Sequence, residues 1–162
     1  MFGNKNEIQL NSLSLGTTFK YKSNTWEIIE ISDYDWGVDG KSVEYKIRSK
    51  NNSEAYLEVE RYQGDYEIYF SESIEIPQET LKDGMATKIM IYDGQEYEQE
   101  EHYRGSSKNQ TLGTSWEKTE VFMFYASDDA LLTIEKTKDD TLAVYYGVEI
   151  KEKALKNIKS TK

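Results

Sequence analysis

The chain has 162 residues, enough for one ordinary domain or two half-domains that share a core. Its formal net charge of −10 repels phosphate backbones, so we do not expect nucleic acid as a partner. It contains no cysteine, which excludes disulfides, thiolate metal sites and cysteine nucleophiles.

The N-terminal residues 1–12 are polar and aperiodic, and we expect them to form a flexible lead. They contain no apolar run long enough for the core of a signal peptide. Nowhere in the sequence do 18 apolar residues follow one another, so we expect no insertion into a membrane. The expected location is therefore the cytoplasm.

Residues 13–76 predict a first antiparallel β unit. Apolar and polar side chains alternate in short segments, as at Val43, Tyr45 and Ile47. Asn, Asp, Gly and Ser residues separate these segments and predict turns. The stretch 33–41 is rich in Asp and Gly, which predicts a loop.

A second β unit is predicted over residues 89–150. Before it, residues 77–88 include the single proline and predict an irregular linker. Within it, residues 105–115 are rich in Gly, Ser and Asn and predict a loop. The tail, residues 151–162, holds five lysines and one glutamate, and its apolar residues at helical spacing predict a short C-terminal helix. These residues are Ala154, Leu155 and Ile158.

The two β units follow the same order of segments. Residues 55–61 (AYLEVER) parallel residues 130–136 (ALLTIEK), so Leu57 and Leu132 take equivalent positions. The match preserves the facing of each side chain, which a slip of one residue would reverse. This favours an internal duplication; the alternative is that any two β meanders share such alternation.

We therefore predict a mainly β fold in which two similar antiparallel units pack as one pseudo-twofold domain, sandwich-like or barrel-like. Each unit alone would leave one apolar face uncovered, and we expect the two faces to cover each other. A groove between the units would be the first place to look for a ligand.

The chain contains several distinctive strand and turn motifs: Leu-Gly-x-x-Phe-x-Tyr at 15–21, Tyr-Leu-x-Val-Glu at 56–60, Tyr-Asp-Gly-x-x-Tyr at 92–97 and Leu-Thr-Ile-Glu at 132–135. Together they resemble a bacterial family, the domain of unknown function 4178, over roughly residues 13–158. The chain differs from that pattern in having Tyr56 where tryptophan is common. The resemblance implies no established activity, but it implies a role accessory to membrane-stress or polyamine-related systems.

No catalytic residue and no cofactor are predicted. His102 is the single histidine, so a Ser-His-Asp arrangement or a multi-histidine metal site lacks a second member. Glu96, Glu98, Glu100 and Glu101 resemble paired carboxylates for glycoside cleavage, but a solvated strand face that protects a sheet edge is the ordinary explanation.

A calcium loop is an alternative interpretation of the acidic stretch. Asp33, Asp35, Asp39 and Glu44 match positions 1, 3, 7 and 12 of such a loop. Position 6, where the sharp turn needs glycine, is Val38, and no helices are predicted on either side. A plain acidic loop is therefore the favoured interpretation, with metal binding as the alternative.

The favoured functional hypothesis is a non-catalytic binding or adaptor protein whose partner is a protein with a basic patch, because the chain is strongly acidic. The first alternative is a small-molecule protein that binds a polyamine or an apolar ligand in the groove between the units. Trp36, Tyr103 and Trp116 are the aromatic candidates to stack on such a ligand. The second alternative is an unrecognised hydrolase, which requires a concave site with two converging carboxylates or with His102 in reach of a nucleophile.

Overall fold

A computed structural model describes residues 8–161, in which eleven strands and one α-helix are found. In chain order these are β1 (Thr18–Tyr21), β2 (Asn24–Asp35), β3 (Lys41–Ser49), β4 (Glu54–Tyr62), β5 (Asp65–Ile74), α1 (Gln78–Thr87), β6 (Ile89–Tyr92), β7 (Gln95–Asn109), β8 (Glu117–Tyr125), β9 (Ala130–Lys136), β10 (Leu142–Ile150) and β11 (Lys156–Lys159). Short 3-10 turns lie at Leu10–Ser12, Gly37–Asp39 and Glu152–Ala154.

The strands form one antiparallel sheet in the order β11-β1-β2-β3-β4-β5-β10-β9-β8-β7-β6. Strand β2 also pairs with β7, so the eight strands from β2 to β7 in this order close a ring. The prediction of a mainly β, sandwich-like or barrel-like fold is confirmed. In the sheet, β1 to β5 lie side by side in chain order, and so do β6 to β10; we call these the two strand sets. Leu57 lies in the fourth strand of the first set and Leu132 in the fourth strand of the second. The origin of this correspondence in a duplication stays a prediction.

Bulges in the two longest strands allow the ring to close. The register of β2 shifts between Ile28 and Glu30, and that of β7 shifts between Gln99 and Glu101. A bulge bends a strand and increases its twist. The first part of β2 therefore pairs with β1, while its last residues, 32–35, pair with residues 106–109 of β7.

Glycines permit close approach where the two strand sets meet. A Cβ on Gly105 of β7 would lie 2.2 Å from the backbone oxygen of Asp35 in β2. A Cβ on Gly147 of β10 would lie 2.4 Å from the backbone oxygen of Phe70 in β5. Any larger residue would push the strands apart at these two junctions.

Each strand set has its own apolar core, and the expectation that the two apolar faces cover each other is wrong. The first core joins β1 to β5 with Leu10 and Leu155, and the second joins β6 to β10 with Leu81 of α1. The bend in β2 explains the first core, because it brings Phe19 and Trp26 over the face that carries Tyr45 and Leu57. The two sets therefore meet edge to edge, at β2–β7 and β5–β10.

Two segments outside the strand sets form other structures than predicted. Residues 78–87 of the expected irregular linker form α1, which Leu81 anchors in the second core at 1% exposure. Gly84 is needed there, since a Cβ would lie 2.0 Å from the sulfur of Met90. In the tail, residues 156–159 form an edge strand beside β1 and not a helix, because Leu155 and Ile158 pack on the first core.

The predicted loops are also shorter in the structure, and part of the predicted N-terminal lead belongs to the first core. Strand β2 continues through Asp35 and β3 begins at Lys41, so only a tight turn remains of the loop at 33–41. Strand β7 likewise continues to Asn109. Residues 1–7 of the lead lie outside the described residues, and Leu10 is buried in the first core.

Candidate functional site

The interior of the ring is a cavity of about 510 Å³. Strand alternation places one apolar face of each strand set on its core and directs the other, polar face into the ring. Every strand of the ring contributes to the cavity wall; one lining residue from each is Tyr34, Glu44, Glu58, Tyr69, Tyr145, Glu135, Val121 and Glu101.

The cavity is strongly acidic. Seven of its lining residues carry a carboxyl group: Asp39, Glu44, Glu58, Glu60, Glu67, Glu101 and Glu135. None of the described lining residues is a lysine, an arginine or a histidine. The carboxyl groups therefore have no basic side chain in the wall to compensate their charge, which is an unusual arrangement for enclosed acids.

Three glutamates, which we call the inner glutamates, are the most enclosed: Glu44, Glu58 and Glu135. Glu44 in β3 lies directly opposite Glu58 in β4 in the strand register. The hydroxyl oxygen of Tyr34 lies 3.3 Å from Oε1 of Glu44 and 3.4 Å from Oε2 of Glu135. One phenol on β2 thus bridges two carboxyl groups that come from different strand sets.

Two hydroxyl groups donate hydrogen bonds to the inner glutamates Glu58 and Glu135. Ser42 Oγ donates a hydrogen bond of 2.8 Å to Glu58, and Thr119 Oγ1 donates one of 3.0 Å to Glu135. The indole nitrogen of Trp36 donates in turn to Ser42 Oγ at 3.1 Å. These bonds fix the orientation of the carboxyl groups, but they bring no positive charge.

Enclosure raises the pKa values of the inner glutamates. Burial, with Glu135 and Glu58 nearby, raises the pKa of Glu44 well above its usual value. Burial raises the pKa of Glu58 to about 7 and also raises the pKa of Glu135. These side chains keep some accessible surface because they face the cavity, but protein atoms surround the cavity itself. Protonated and ionised forms of Glu58 therefore coexist near neutral pH.

Six aromatic side chains also line the cavity: Tyr34, Trp36, Tyr62, Tyr69, Tyr103 and Tyr145. The rings of Tyr34 and Trp36 stack with their centroids 5.3 Å apart, and Tyr103 lies 6.2 Å from Trp36. Tyr103 also donates a hydrogen bond of 2.7 Å to Glu101, and Tyr125 donates one of 2.5 Å to the same carboxylate. The π faces of such rings attract cations, so the wall and the acids favour the same charge.

The cavity opens to solvent beside the 3-10 turn at Gly37–Asp39. Val38 in this turn and Tyr62 at the end of β4 both line the cavity and are exposed, Val38 fully and Tyr62 to 59%. Asp39, Glu60 and Glu67 line the cavity as well, and the last two flank the hairpin that carries Tyr62. We call these three acids the mouth acids.

Two of the three aromatic candidates from the sequence lie in the cavity wall. Trp36 and Tyr103 are neighbours there, although they come from different strand sets. Trp116 is not among the lining residues; it is 48% exposed, and Lys108 Nζ lies 5.0 Å from its ring. A role of any of them in ligand binding stays a prediction.

The four acids of the calcium-loop alternative do not converge. Asp33 lies opposite Val43, whose side chain enters the first core, whereas Glu44 faces the cavity. Asp33 accepts a hydrogen bond from Gln110, and Asp35 accepts one from the backbone of Gly37. Within residues 8–161, no group of three or more His, Cys, Asp or Glu side chains is arranged to hold a metal ion.

His102 and three of the acids that precede it on β7 lie outside the ring, whereas Glu101 lines the cavity. His102 pairs with Glu120 and stacks on Phe122 with ring centroids 4.3 Å apart. Glu96, Glu98 and Glu100 are exposed. In the part of the chain that is described, no helix combines the length and the apolar character that crossing a membrane requires.

Sequence reasoning missed Glu58, Glu135, Tyr34 and Tyr145 as site residues. A signal was present for Glu58, Glu135 and Tyr145, because they alternate with core residues such as Leu57 and Ile134. Tyr34 lies between two aspartates and gave no such signal. Alternation alone only predicts that one face of a strand is polar. The closure of the ring, which turns this face inward, depends on the pairing of β2 with β7.

Comparison with known proteins gives a family but no activity. A family model described as "Domain of unknown function (DUF4178)" matches residues 14–152. An "Uncharacterized protein" of Aquifex aeolicus (strain VF5) is 26% identical over 157 residues, which cover 92% of this chain and 84% of that protein. No solved structure matches the chain.

Proposed function

The chain belongs to the DUF4178 family, and we propose that this member is a non-catalytic protein that binds a small organic cation of the polyamine class in its ring cavity. The observation that carries the proposal is the composition of the wall. Seven carboxyl groups and several aromatic rings line the cavity, and the described wall has no basic side chain. The fold and the family by themselves assign no ligand.

Electrostatics favours a cation over a neutral or anionic ligand. An ionised carboxylate that has lost water needs a positive partner, and no described residue of the wall supplies one. At an effective dielectric constant of about 20, an ammonium group about 4 Å from one carboxylate gains about 4 kcal/mol. Contact with an aromatic face adds about 0.5–2 kcal/mol. An anion would face repulsion from the same groups.

The spacing of the acids favours a ligand with more than one positive group. Glu58, Glu60 and Tyr62 face the cavity from alternate positions of β4. Alternate residues of a strand are about 7 Å apart, which is similar to the separation of two amines joined by a short alkyl chain. One ammonium would therefore bind the inner glutamates while another binds the mouth acids, with the methylene groups against Trp36 and Tyr103.

Isothermal titration calorimetry with spermidine tests this proposal. At about 0.15 M salt, which screens exposed charges, we expect saturable binding of one spermidine per chain. Removing one inner charge in Glu58→Gln or Glu135→Gln should weaken binding at least about tenfold. Glu72→Gln, which removes an exposed acid on β5 outside the cavity wall, is the matched control and should leave the affinity unchanged.

Two results would overturn the proposal. One is the absence of saturable binding by spermidine and by choline, a smaller cation that would still contact the aromatic wall. The other is an equal loss of affinity in Glu72→Gln and in Glu58→Gln, because it would assign the binding to the net charge of the surface and not to the cavity.

The hydrolase alternative has one observation in its favour, since Glu44 and Glu135 converge. However, the Tyr34 hydroxyl occupies the space between these two carboxyl groups, where the bond to be cleaved would have to lie. We therefore favour binding without catalysis.

The remaining expectations from the sequence keep the status of predictions. A protein partner with a basic patch would have to contact acids outside the ring, such as the exposed Glu96, Glu98 and Glu100. The cytoplasm is the location that we propose, because polyamines are abundant wherever nucleic acids need counterions.

A further inference from the structure

We propose that the cavity exchanges protons for its cation: the empty site holds at least one proton on the inner glutamates, and entry of the cation releases it. The inference rests on the proposed function and concerns the regulation of the same site. It would make the affinity for the cation depend on pH, although the ligand itself keeps its charge.

The first step of the argument is the shared phenol. A tyrosine hydroxyl has one hydrogen to donate. The Tyr34 oxygen lies within hydrogen-bond reach of both Glu44 and Glu135, at 3.3 and 3.4 Å. The two carboxyl groups therefore share one hydrogen through two long contacts, and the phenol brings no positive charge. Glu44 and Glu135 repel each other when both are ionised, and a proton on one of them removes this repulsion, so the empty site favours a proton on one of the two.

The second step is the strand register. Glu44 and Glu58 are directly opposite each other on the inner faces of β3 and β4. Like charges in directly opposed positions destabilise a sheet, and more so when water is largely excluded. Glu58 receives a single hydrogen bond from a side chain, that of Ser42. A proton on Glu44 or Glu58 removes this repulsion in the absence of a ligand.

The third step is the absence of a competing cation next to the inner glutamates. The titratable groups that face them come from β2, β3, β4, β5, β9 and β10: Tyr34, Glu44, Tyr56, Glu58, Glu60, Glu67, Glu135 and Tyr145. Lys46, two residues from Glu44 on β3, has its Nζ 3.5 Å from Glu54 and 3.8 Å from Glu30. Lys136, next to Glu135, pairs with Asp140 at 3.6 Å. Both lysines are thus engaged with other carboxylates.

The direction of the pH dependence follows from these contacts. Burial raises the pKa of Glu58 to about 7, so protons and a cation compete for the site near neutral pH. A bound ammonium favours the ionised carboxylates and displaces the protons. The affinity should therefore rise with pH, by up to about tenfold per pH unit for each proton released, and level off once the empty site is fully ionised.

Calorimetry in two buffers with different ionisation enthalpies measures the number of protons released. The probes are spermidine and hexamethonium, whose two quaternary ammonium groups carry a charge that does not change with pH. Between pH 6 and 7 we expect a release of at least about half a proton per bound cation. Glu135→Gln should release fewer protons, whereas Glu72→Gln should match the wild-type protein.

The outcomes separate this inference from the proposed function. Binding without proton release from pH 5.5 to 7.5 would overturn the exchange and leave the cation site intact. Failure of both probes to bind at any pH would overturn both proposals. A measurement that needs no variant and no ligand is carbon NMR of the glutamate carboxyl groups. We expect at least one to titrate above pH 6 in the free protein, and titration of all of them below pH 5 would contradict the proton-holding site.

Discussion

Neutralising Glu58 should stabilise the protein, and increasingly so as the pH rises. In the unfolded chain this carboxyl group ionises near pH 4.5, whereas burial raises its pKa in the folded protein to about 7. Above pH 4.5 the unfolded chain has released this proton, whereas the folded protein still holds it. The free energy of unfolding therefore decreases as the pH rises from 4.5 towards 7. The difference of about 2.5 between the two pKa values corresponds to about 3 kcal/mol above pH 7, since one pKa unit is worth about 1.4 kcal/mol.

The Glu58→Gln variant keeps the side-chain shape and an oxygen that can accept the hydrogen bond from Ser42. Its stability advantage over the wild-type protein should be about 1 kcal/mol at pH 5.5 and about 3 kcal/mol at pH 8, because the penalty on Glu58 is only partly developed at the lower pH. Urea unfolding followed by circular dichroism measures both values, with Glu72→Gln as the exposed control. An advantage that is equal at the two pH values, or a destabilisation at pH 8, would refute the account of the inner glutamates.

Two further predictions concern the ring and its attachment to the N-terminal segment. Gly147→Ala places a Cβ 2.4 Å from the oxygen of Phe70, and the forced separation of β5 and β10 should cost about 1–3 kcal/mol in urea unfolding; Ser73→Ala, an exposed position on the same junction, should change stability by less than about 0.5 kcal/mol. Tyr45→Phe removes the hydroxyl that donates to the Leu10 oxygen at 2.7 Å and accepts from the Leu13 nitrogen at 3.0 Å. It should cost about 1–3 kcal/mol and speed proteolytic cleavage near residue 12, and an unchanged cleavage rate would contradict the anchoring role.

The strands were the part of the fold that the sequence predicted well. Val43, Tyr45 and Ile47 alternate with polar residues, and this period of two is the direct signature of a strand with one buried face. The equal order of the two strand sets was also visible, because Leu57 and Leu132 lie at matching points of their motifs. These features depend on local sequence, which is why they could be recognised without the structure.

The arrangement of the two strand sets depended on non-local contacts, and there the sequence was a poorer guide. The bulges in β2 and β7 bend each set over its own apolar face, so the faces do not need each other. The same bends turn the polar faces inward, so Glu58 and Glu135 line a cavity, which the alternation of each strand does not by itself predict. Trp36 and Tyr103 were identified from the sequence, but their proximity follows from the β2–β7 pairing alone.

The helix and the tail show how tertiary packing overrides local preference. The Asp83-Gly84 pair predicts a break, yet Gly84 lies inside α1 because only a residue without a side chain fits against Met90. Ala154, Leu155 and Ile158 have helical spacing, but the free edge of β1 offers backbone partners that a short isolated helix cannot match.

The three tryptophans of the chain permit the most direct test of the ring cavity as the cation site. Their indole N–H groups give separate signals in a proton–nitrogen NMR spectrum, and the three rings lie in different surroundings. Trp36 lines the cavity, Trp26 is buried in the first core, and Trp116 is exposed outside the cavity wall. On titration with spermidine at pH 7.5, the account predicts a saturable shift of the Trp36 signal, with the Trp26 and Trp116 signals nearly unmoved. A shift confined to Trp116, or no shift of Trp36 at saturating spermidine, would contradict it.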